Sequence, residues 1–417
     1  MGTGAARYRT VVRPAWEVAA AAAVATGLGT WFALAVPLGL PYDEPAHWGT
    51  VLAYASQHRM PVLGDPGVPY EAQMGPIYYT LAALLLGALG GAEQPHAAIV
   101  LRLAGVVLLP VLVVLTYRIG RLMLASPAVS AGAASVLAVT PLLLMVGGSI
   151  QNDFLCFVLI AVALIAGMRL LRGPDGSWPG HLGLGVLIGL AILTKVVALA
   201  LVPALVLGYL AHRAPWRRRL GWMVAAGVGV VATSGWWFVR NLVLYGDLTG
   251  ASAMARLGIT FPRQQWASVG DAVAWFGNIV SYVYIPVEYY RNVVRSPTPL
   301  RVTALVLAGV TVLVLVWQAV RHRSARSWLT SEPGRVYAIA TLLFAVLGWM
   351  VFSFTIFNGA PRLAFHAAPV AAVVFVAATW RRPFGWLVAV TALAFVVADV
   401  WLVTEATQVR DLPVLFG

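Results

Sequence analysis

The stretch VYAIATLLFAVLGWMVFSFTIF, residues 336–357, contains no charged side chain. As a helix rising about 1.5 Å per residue, it is long enough to cross a hydrocarbon core about 30 Å thick. The whole chain shares this character, since 60% of its 417 residues are hydrophobic and only 10% are charged. About a quarter of the residues in a soluble domain are charged. The composition therefore excludes a water-soluble fold and predicts an integral membrane protein.

Apolar runs of similar length recur along nearly the whole chain. We expect spans near residues 16–38, 97–117, 127–146, 154–171, 181–195, 196–211, 220–238, 300–319, 336–357, 363–379 and 384–404. The sequence thus predicts an all-α, polytopic membrane bundle of about eleven (11–13) transmembrane helices. Residues 1–417 are expected to form one transmembrane domain, because no repeat and no separate soluble domain is evident.

Arginines are distributed asymmetrically between these runs. With a cytoplasmic N-terminus, alternate connections collect the arginine clusters on the cytoplasmic side, as the positive-inside rule requires. These arginines are Arg118, Arg121, Arg169, Arg172, Arg213, Arg217, Arg218, Arg219, Arg321, Arg323, Arg326, Arg335, Arg381 and Arg382. They account for much of the formal charge of +13 and form no continuous basic face, so nucleic acid is not an expected partner.

One apolar stretch, residues 77–91, is short for a span and typical of an interfacial segment. Counting it as a span would invert every later loop, so we expect it to lie against the outer surface. Two large external loops result, residues 39–96 with interfacial helices and residues 239–299. The expected location is the cell membrane, with multiple passes and a site that faces outside.

The first external loop opens with Asp43, Glu44 and His47 in PYDEPAHW, residues 41–48. Two adjacent carboxylates at a membrane interface are costly to desolvate, which indicates a bound cation, a metal ion or a proton-transfer role. The alternative is structural, because Asp43 ahead of Glu44 and Pro45 is also typical of a helix N-cap. Both roles are compatible with the sequence.

Two further acidic residues lie on the same predicted face. Glu71 occurs in YEAQMGPIYY, residues 70–79, just ahead of the interfacial segment. Asp153 ends SIQND, residues 149–153, which is a polar break between two spans. A polar turn is required at that break in any case, so no single acid indicates a functional site. The indication comes from several acids on the same predicted face.

Cations also stand out on this face. Lys195 is the only lysine among the 28 lysine and arginine residues, and it lies at an outer helix junction, where its compact charge suits an anion. The alternative is a lysine whose stem merely reaches to the interface. Arg240, Arg291 and Arg362 are external against the general trend, and binding of a phosphate by guanidinium groups would explain them.

Taken in order, these motifs resemble the GT-C superfamily of lipid-carrier-dependent glycosyltransferases. This superfamily includes the protein O-mannosyltransferases of glycosyltransferase family 39 and the lipid A aminoarabinose transferases. The matching motifs are Asp43-Glu44, Tyr70-Glu71-Ala72-Gln73 with Pro76 and Tyr78-Tyr79, Asn152-Asp153, Leu193-Thr194-Lys195, and Trp237 with Arg240-Asn241 and Tyr245-Gly246. The resemblance is good over residues 1–250 and loose over the remainder.

The resemblance implies an inverting transfer of a sugar from a polyprenyl-phosphate donor to an acceptor hydroxyl on a cell-envelope glycan, lipid or protein. The implied catalytic residues are Asp43, Glu44 and Asp153. The implied donor-phosphate ligands are Lys195 and Arg240, to which the external Arg362 is added. The expected substrate-binding residues are His47, Glu71, Gln73, Asn152 and Tyr245.

A metal ion is a further expectation. Asp43, Glu71 and Asp153 together would suit Mg²⁺ or Mn²⁺. A chemically similar site could also work through its own cations alone, so the sequence leaves metal dependence open.

Two departures from the family pattern are evident. Met74-Gly75-Pro76 replaces the usual pair of prolines after the Glu/His-Gln motif, and the sequence contains no large external C-terminal domain. Three alternatives stay open: a polymerase or ligase with a diphosphate-linked donor, a secondary transporter, and a noncatalytic assembly subunit. Transporters place ionisable groups near the midplane in broken helices, whereas these charges lie at the outer helix ends.

Overall fold

The computed structural model of the chain is helical, and its described residues contain no β-strand. The structure describes residues 3–94, 96–124, 126–173, 177–259, 268–286, 297–321, 328, 331–356, 361–380 and 383–409. Five arginines that entered the topology argument lie outside the described residues: Arg291, Arg323, Arg326, Arg381 and Arg382.

The α-helices follow one another with short connections in most places. The first part of the chain forms α1 Thr3–Ala35, α2 Glu44–Gln57, α3 Pro76–Ala88, α4 Ala97–Val106, α5 Leu108–Leu124, α6 Pro127–Ala138, α7 Pro141–Gly147 and α8 Asp153–Leu170. The rest forms α9 Trp178–Thr194, α10 Leu201–Ala211, α11 Trp216–Tyr245, α12 Ala251–Arg256, α13 Val269–Tyr284, α14 Thr298–Arg321, α15 Pro333–Ile356, α16 Ala368–Thr379 and α17 Trp386–Ala406. Three 3-10 turns are η1 Tyr70–Gln73, η2 Val196–Ala200 and η3 Pro361–Ala367.

Eight helical segments in the described part of the chain are long and apolar enough to span a membrane. They are Ala15–Ala35, Ala97–Leu124, Asp153–Leu170, Trp216–Tyr245, Thr298–Gln318, Pro333–Ser353, Pro361–Thr379 and Trp386–Ala406. The pair α6 and α7, bent by 62°, would make a ninth. The chain is therefore a multi-pass membrane protein, while the predicted count of eleven is not confirmed, because α9 and α10 are shorter than the other spans.

The helix α11 is longer than the sequence pattern indicated. It was expected to end near residue 238, but it continues to Tyr245, where Gly246 terminates it with a φ of 82°. Arg240 and Tyr245 therefore project from a helix and not from the loop 239–299. Beyond Gly246, the described part of that loop contains α12 and α13.

Small residues allow α9 and α11 to pack against each other at very short range. A Cβ added to Gly185 would lie 2.0 Å from the Ala226 carbonyl oxygen, and one added to Gly229 would lie 2.4 Å from that of Leu182. Close backbone approach through small residues is the usual way for helices to associate inside a bilayer. This contact fixes the end of α9, where Lys195 follows.

Gly75 brings the first external loop against the end of α9. A Cβ at this position would lie 2.0 Å from the Leu193 carbonyl oxygen, so no other residue fits without movement of the backbone. The departure from the family's two prolines thus has a structural reason here. Its effect is to seat η1, and Glu71 within it, beside the junction that carries Lys195.

Candidate active site

Asp43 lies between α1 and α2 with its backbone in the left-handed region at φ 64°, which few non-glycine residues adopt. It holds the N-cap position of α2, but its side chain makes no capping hydrogen bond, so the N-cap alternative does not describe its contacts. Its carboxylate instead accepts hydrogen bonds from the Tyr70 hydroxyl and from Nη2 of Arg362. Strained backbone with a directed side chain is frequent at functional sites.

The charge state of Asp43 follows from these neighbours. Burial raises the pKa of the Asp43 carboxyl, but the Arg362 guanidinium and the Tyr70 hydroxyl outweigh that effect. The net pKa is lower than that of an ordinary aspartate, and Asp43 is ionised at neutral pH. The Arg362 side chain also lies over the ring of Tyr42, with 5.7 Å between the guanidinium carbon and the ring centroid.

Glu44 has contacts that differ from those expected of a catalytic acid. Oε1 accepts from Arg102 Nε at 2.7 Å and from the Ile150 amide at 3.0 Å. Oε2 accepts from Arg102 Nη2 at 2.6 Å and from the Gly39 amide at 2.9 Å. Both side chains of the pair are fully buried, and the carboxylate already accepts four hydrogen bonds. The carboxylate of Glu44 is therefore saturated by this brace, which favours a structural role for Glu44 over the expected catalytic one.

Arg102 extends the brace to the end of α1. Its Nη1 donates to the carbonyl oxygens of Ala33 and Val36, at 3.0 and 2.6 Å, and its Nη2 donates to that of Pro37 at 3.0 Å. These contacts satisfy carbonyl groups that a helix C-terminus leaves without partners. The sequence interpretation missed Arg102, although a charged residue inside an apolar span is itself a signal of a specific role.

A second buried ion pair lies close by. Lys195 Nζ contacts both carboxylate oxygens of Asp153 at 2.8 Å, and the two side chains are 7% and 1% exposed. The neighbouring Asn152 donates from Nδ2 to the Thr194 carbonyl oxygen at 3.2 Å. Two adjacent residues at the start of α8, Asn152 and Asp153, thus contact the last residue of α9 and the residue that follows it.

Glu71 and His47 lie between the two ion pairs. Each is buried and interacts electrostatically with Asp43, Arg362, Asp153 and Lys195. The structure therefore brings the predicted acids of three separate sequence motifs into one cluster with two cations.

Burial sets the protonation of this central pair. It lowers the pKa of His47 to about 3, so the imidazole is neutral near pH 7. It raises the pKa of Glu71 to about 8, an effect to which the Asp43 charge adds. Although His47 Nε2 and Glu71 Oε1 lie 4.0 Å apart, their contact near neutral pH is one between uncharged groups and is not an ion pair.

The arrangement offers a candidate metal centre. Asp43, His47 and Glu71 each present one ligand atom, and these atoms lie within 4.8 Å of one another. The second ring nitrogen of His47, Nδ1, lies 2.8 Å from the Tyr79 hydroxyl, which is the kind of outer contact that orients a metal-binding histidine. Glu71 Oε2 is buried and has no hydrogen-bond partner in the part of the chain that the structure describes. These residues fit a divalent cation.

The predicted ligand set is corrected in one member. Asp153 was expected to join Asp43 and Glu71, but both of its oxygens contact Lys195, and His47 is the third residue of the cluster. The cluster thus combines one imidazole nitrogen with two carboxylates.

Arg240 and Tyr245 lie on α11 against the segment 61–63 of the first external loop. Arg240 donates from Nη2 to the Pro61 carbonyl oxygen at 2.8 Å and lies over the Trp237 ring, with 4.7 Å between the guanidinium carbon and the ring centroid. The Tyr245 hydroxyl accepts from the Leu63 amide at 3.1 Å. Arg240 Nη1 is buried without a hydrogen-bond partner among the described residues.

Gln73 is directed toward the same region. Its amide nitrogen lies 3.7 Å from the sulfur of Met254 on α12. Among the described residues, neither Gln73 nor Arg240 forms a hydrogen bond with Asp43, Glu71 or Asp153. The sequence-predicted residues therefore divide into a central acidic cluster and a group beside it.

Comparison with known proteins agrees with the expected fold. Residues 76–238 match the family model of dolichyl-phosphate-mannose-protein mannosyltransferase. No curated protein matches the chain by sequence.

Solved structures resemble the chain over most of its length. ArnT from Cupriavidus metallidurans bound to undecaprenyl phosphate has a TM-score of 0.56 at 16% identity, over 89% of this chain and 61% of that one. The Archaeoglobus fulgidus oligosaccharyltransferase in complex with Zn and sulfate has a TM-score of 0.56 at 12% identity, over 92% of this chain and 53% of that one. The same archaeal protein, AglB, with an inhibitory peptide and a dolichol-phosphate gives 0.54 at 14%, over 94% and 55%.

The chain therefore shares the fold of these solved membrane proteins, which agrees with the helical bundle expected from the sequence. It spans between about half and three fifths of the length of these similar structures.

Proposed function

We propose that this chain is a membrane glycosyltransferase that moves a sugar from a polyprenyl-phosphate donor to an acceptor hydroxyl with inversion at the anomeric carbon. One observation carries the proposal: two buried acid–cation pairs, Asp43 with Arg362 and Asp153 with Lys195, flank the same neutral His47 and Glu71. The acids provide a proton acceptor, and the cations provide a receptor for phosphate.

The chemistry assigns a task to each pair. As the acceptor oxygen attacks the anomeric carbon, its proton passes to the Asp43 carboxylate. The bond between the anomeric carbon and the phosphate oxygen breaks on the opposite face, and polyprenyl phosphate leaves with the electron pair. Lys195 and Arg362 stabilise the charge that develops on the leaving phosphate.

Donor binding then requires an exchange of partners. In this structure both cations contact aspartates, and a phosphate would compete with Asp43 for Arg362. A guanidinium group suits either anion through paired N–H donors. When Arg362 turns to the phosphate, an oxygen of Asp43 becomes available to the acceptor hydroxyl.

Arg240 extends the anion-binding side of the site. Its buried Nη1 has no hydrogen-bond partner among the described residues, and an anionic oxygen would supply one. We assign it to the lipid-phosphate end of the donor, beside Trp237, whose ring faces its guanidinium group.

A divalent cation would be held by Asp43, His47 and Glu71, and Mn²⁺ or Zn²⁺ suits that mixed set of ligands. When bound, it would supply additional positive charge for the phosphate. The residues around it keep the tasks described above.

The proposed site faces the outside of the membrane. The orientation rests on the arginine clusters, which fall on the opposite side from the cluster of Asp43, Glu71 and Asp153 under the positive-inside rule. The acceptor would be a hydroxyl of a glycan, lipid or protein of the cell envelope.

The proposal is tested by sugar transfer in liposomes. Purified protein is given radiolabelled polyprenyl-phosphate sugars, including mannosyl, glucosyl and arabinosyl donors, and the release of polyprenyl phosphate is measured. Turnover of one donor is the expected result. Failure of all monophosphate donors, with protein that remains folded, would overturn the proposal.

A second candidate is transfer of an oligosaccharide from a diphosphate-linked lipid. It is favoured by the equal structural similarity to an archaeal oligosaccharyltransferase. Lipid-diphosphate oligosaccharides in the same assay distinguish the two functions, because only one class of donor is expected to be consumed.

A further inference from the structure

Three buried side chains near the ion pairs each keep one hydrogen-bond acceptor that is not used within the described part of the chain. Gln151 donates from Nε2 to the Tyr42 carbonyl oxygen at 2.9 Å. Asn152 donates from Nδ2 to the Thr194 carbonyl oxygen at 3.2 Å. A carbonyl oxygen accepts and never donates, so these contacts settle which amide atom is nitrogen and which is oxygen.

The same argument fixes the tautomer of His366. Its Nδ1 lies 3.0 Å from the Leu363 carbonyl oxygen and must therefore carry the proton. The other ring nitrogen, Nε2, is left as an acceptor. In all three residues the donor is used within the protein and the remaining atom is an acceptor.

Among the described residues, no hydrogen-bond donor is paired with these three acceptor atoms. Gln151 Oε1, Asn152 Oδ1 and His366 Nε2 are buried and lack a hydrogen-bond partner among the described residues, and their side chains are 2%, 0% and 2% exposed. Buried polar atoms without partners are rare in folded proteins, and each calls for an explanation. A ligand that brings hydrogen-bond donors supplies one.

Their positions place them around the reacting groups. Gln151 and Asn152 directly precede Asp153, and their backbone partners belong to the residues beside Asp43 and Lys195. His366 lies on η3, one turn after Arg362, and interacts electrostatically with Asp153 and Lys195. The three acceptors therefore come from two different elements that both lie near the Asp153–Lys195 pair.

The chemistry of these three acceptor atoms indicates which part of the polyprenyl-phosphate sugar they would bind. An ionised phosphate and a polyprenyl chain carry no hydrogen-bond donor, whereas each hydroxyl of a sugar carries one. We infer that Gln151, Asn152 and His366 bind the ring hydroxyls of a neutral sugar on the polyprenyl-phosphate donor. This inference rests on the proposed function and names residues that would read the sugar.

The inference is tested by binding and does not require turnover. Wild-type protein in lipid nanodiscs is titrated with undecaprenyl phosphate and with undecaprenyl-phosphoryl mannose, and the ratio of the two dissociation constants gives the contribution of the sugar. We expect the sugar-bearing probe to bind at least about tenfold more tightly, since one good hydrogen bond to a buried neutral group is worth about that factor.

Substitutions then show which residues account for the sugar's contribution to binding. His366→Phe should lose about tenfold of the sugar's contribution while its affinity for bare undecaprenyl phosphate stays that of the wild type, which also shows that the variant is folded. His366→Gln should retain most of the contribution, because the amide oxygen of glutamine replaces the acceptor Nε2. Gln151→Met and Asn152→Leu should also lower the sugar's contribution. Because each also removes a hydrogen bond to the backbone carbonyl of Tyr42 or Thr194, the contribution is calculated for each variant from its own affinity for bare undecaprenyl phosphate.

Asn241 on α11 supplies a matched control. Its Nδ2 also donates to a backbone carbonyl oxygen, that of Leu248 at 3.1 Å, and its Oδ1 is likewise buried without a partner among the residues described. Asn241→Leu should leave the sugar's contribution unchanged, because Asn241 does not adjoin Asp153 or Lys195.

Each contrary outcome has a distinct meaning. Equal affinity of the wild type for the two probes would overturn the inference while leaving lipid-phosphate binding intact. A similar loss for both probes in His366→Phe would also overturn it, and would mean that His366 positions Lys195. Binding of neither probe by the wild type would overturn the proposed function together with the inference.

Discussion

The carboxylate of Glu44 and the guanidinium of Arg102 form a bidentate ion pair, with N–O distances of 2.7 and 2.6 Å, and neither side chain is exposed. The pair joins the chain just after α1 to α4, and it holds the residue next to Asp43 in a fixed position. The Glu44 carboxylate has no free lone pair, so its role is to position the chain. The neighbouring Asp43 carboxylate is the one that we propose takes part in the reaction.

Arg102→Met is expected to lower the free energy of unfolding by about 3–5 kcal/mol, because removal of one partner leaves a buried charge uncompensated. Denaturant unfolding in detergent measures the change. Arg59→Met is the matched control, since Arg59 forms an exposed pair with Asp65, and such pairs contribute little. Equal stability of Arg102→Met and the wild type would show that the brace is not structural.

Asp43→Asn is expected to lower sugar transfer by about 10²–10⁴-fold, the usual contribution of a general base. The variant should still insert and fold, since the amide oxygen can accept from Arg362 while the amide nitrogen donates to the Tyr70 hydroxyl. Transfer in liposomes and the melting temperature are measured together. Asp65→Asn in the same loop is the control, and full activity of Asp43→Asn would remove Asp43 from the reaction.

Lys195→Ala is expected to weaken the use of the donor, because it removes a charge from the proposed phosphate site. It also leaves Asp153 buried and uncompensated, so the loss must be separated from destabilisation. The double variant Asp153→Asn with Lys195→Met removes both charges and should recover stability without recovering donor affinity. Unchanged donor affinity in both variants would mean that Lys195 serves only to neutralise Asp153.

Gly75→Ala is expected to disturb the site, because the added Cβ would meet the Leu193 carbonyl oxygen at 2.0 Å. The displacement of η1 would move Glu71, so transfer and thermal stability should both fall. Gly87→Ala on α3 is the control, since no atom lies within 4 Å of its added Cβ. That change should be neutral or stabilise the helix by about 1 kcal/mol. Wild-type behaviour of Gly75→Ala would show that the contact relaxes without consequence.

Binding of Mn²⁺ is expected to require His47 and not Asp153. Electron paramagnetic resonance of the protein with added Mn²⁺ measures the bound fraction directly. His47→Ala should abolish specific binding, whereas Asp153→Asn should retain it, because both oxygens of Asp153 already contact Lys195. Loss in Asp153→Asn with retention in His47→Ala would restore the ligand set expected from the sequence.

The sequence located the acidic cluster because the membrane restricts where polar residues can lie. The ends of membrane-spanning runs lie at one of the two membrane surfaces. Asp43, Glu71 and Asp153 could therefore be assigned to the same surface from the order of the spans alone. Lys195 joined them for the same reason, as the only lysine at a junction on that face. The structure brings all four together.

Arg102 and His366 were missed because they lie within or beside apolar runs. In such runs the sequence does not indicate how deeply a polar side chain is buried or which residue it contacts. Arg102 meets a carboxylate 58 positions away in the chain. His366 faces residues that are remote from it in sequence. Neither contact leaves a local pattern, because each depends on how two helices pack.

Composition and the spacing of charges by themselves determined that this protein is a multi-pass helical membrane protein, and they predicted one face for its candidate site residues, since the bilayer acts on every residue according to polarity and length. Only the tertiary structure decided which carboxylate is braced, which pairs with a cation and which adjoins His47. Those differences arise from hydrogen-bond geometry over a few ångströms, and neighbouring carboxylates such as Asp43 and Glu44 become distinct only when the packed helices supply each with its own partners.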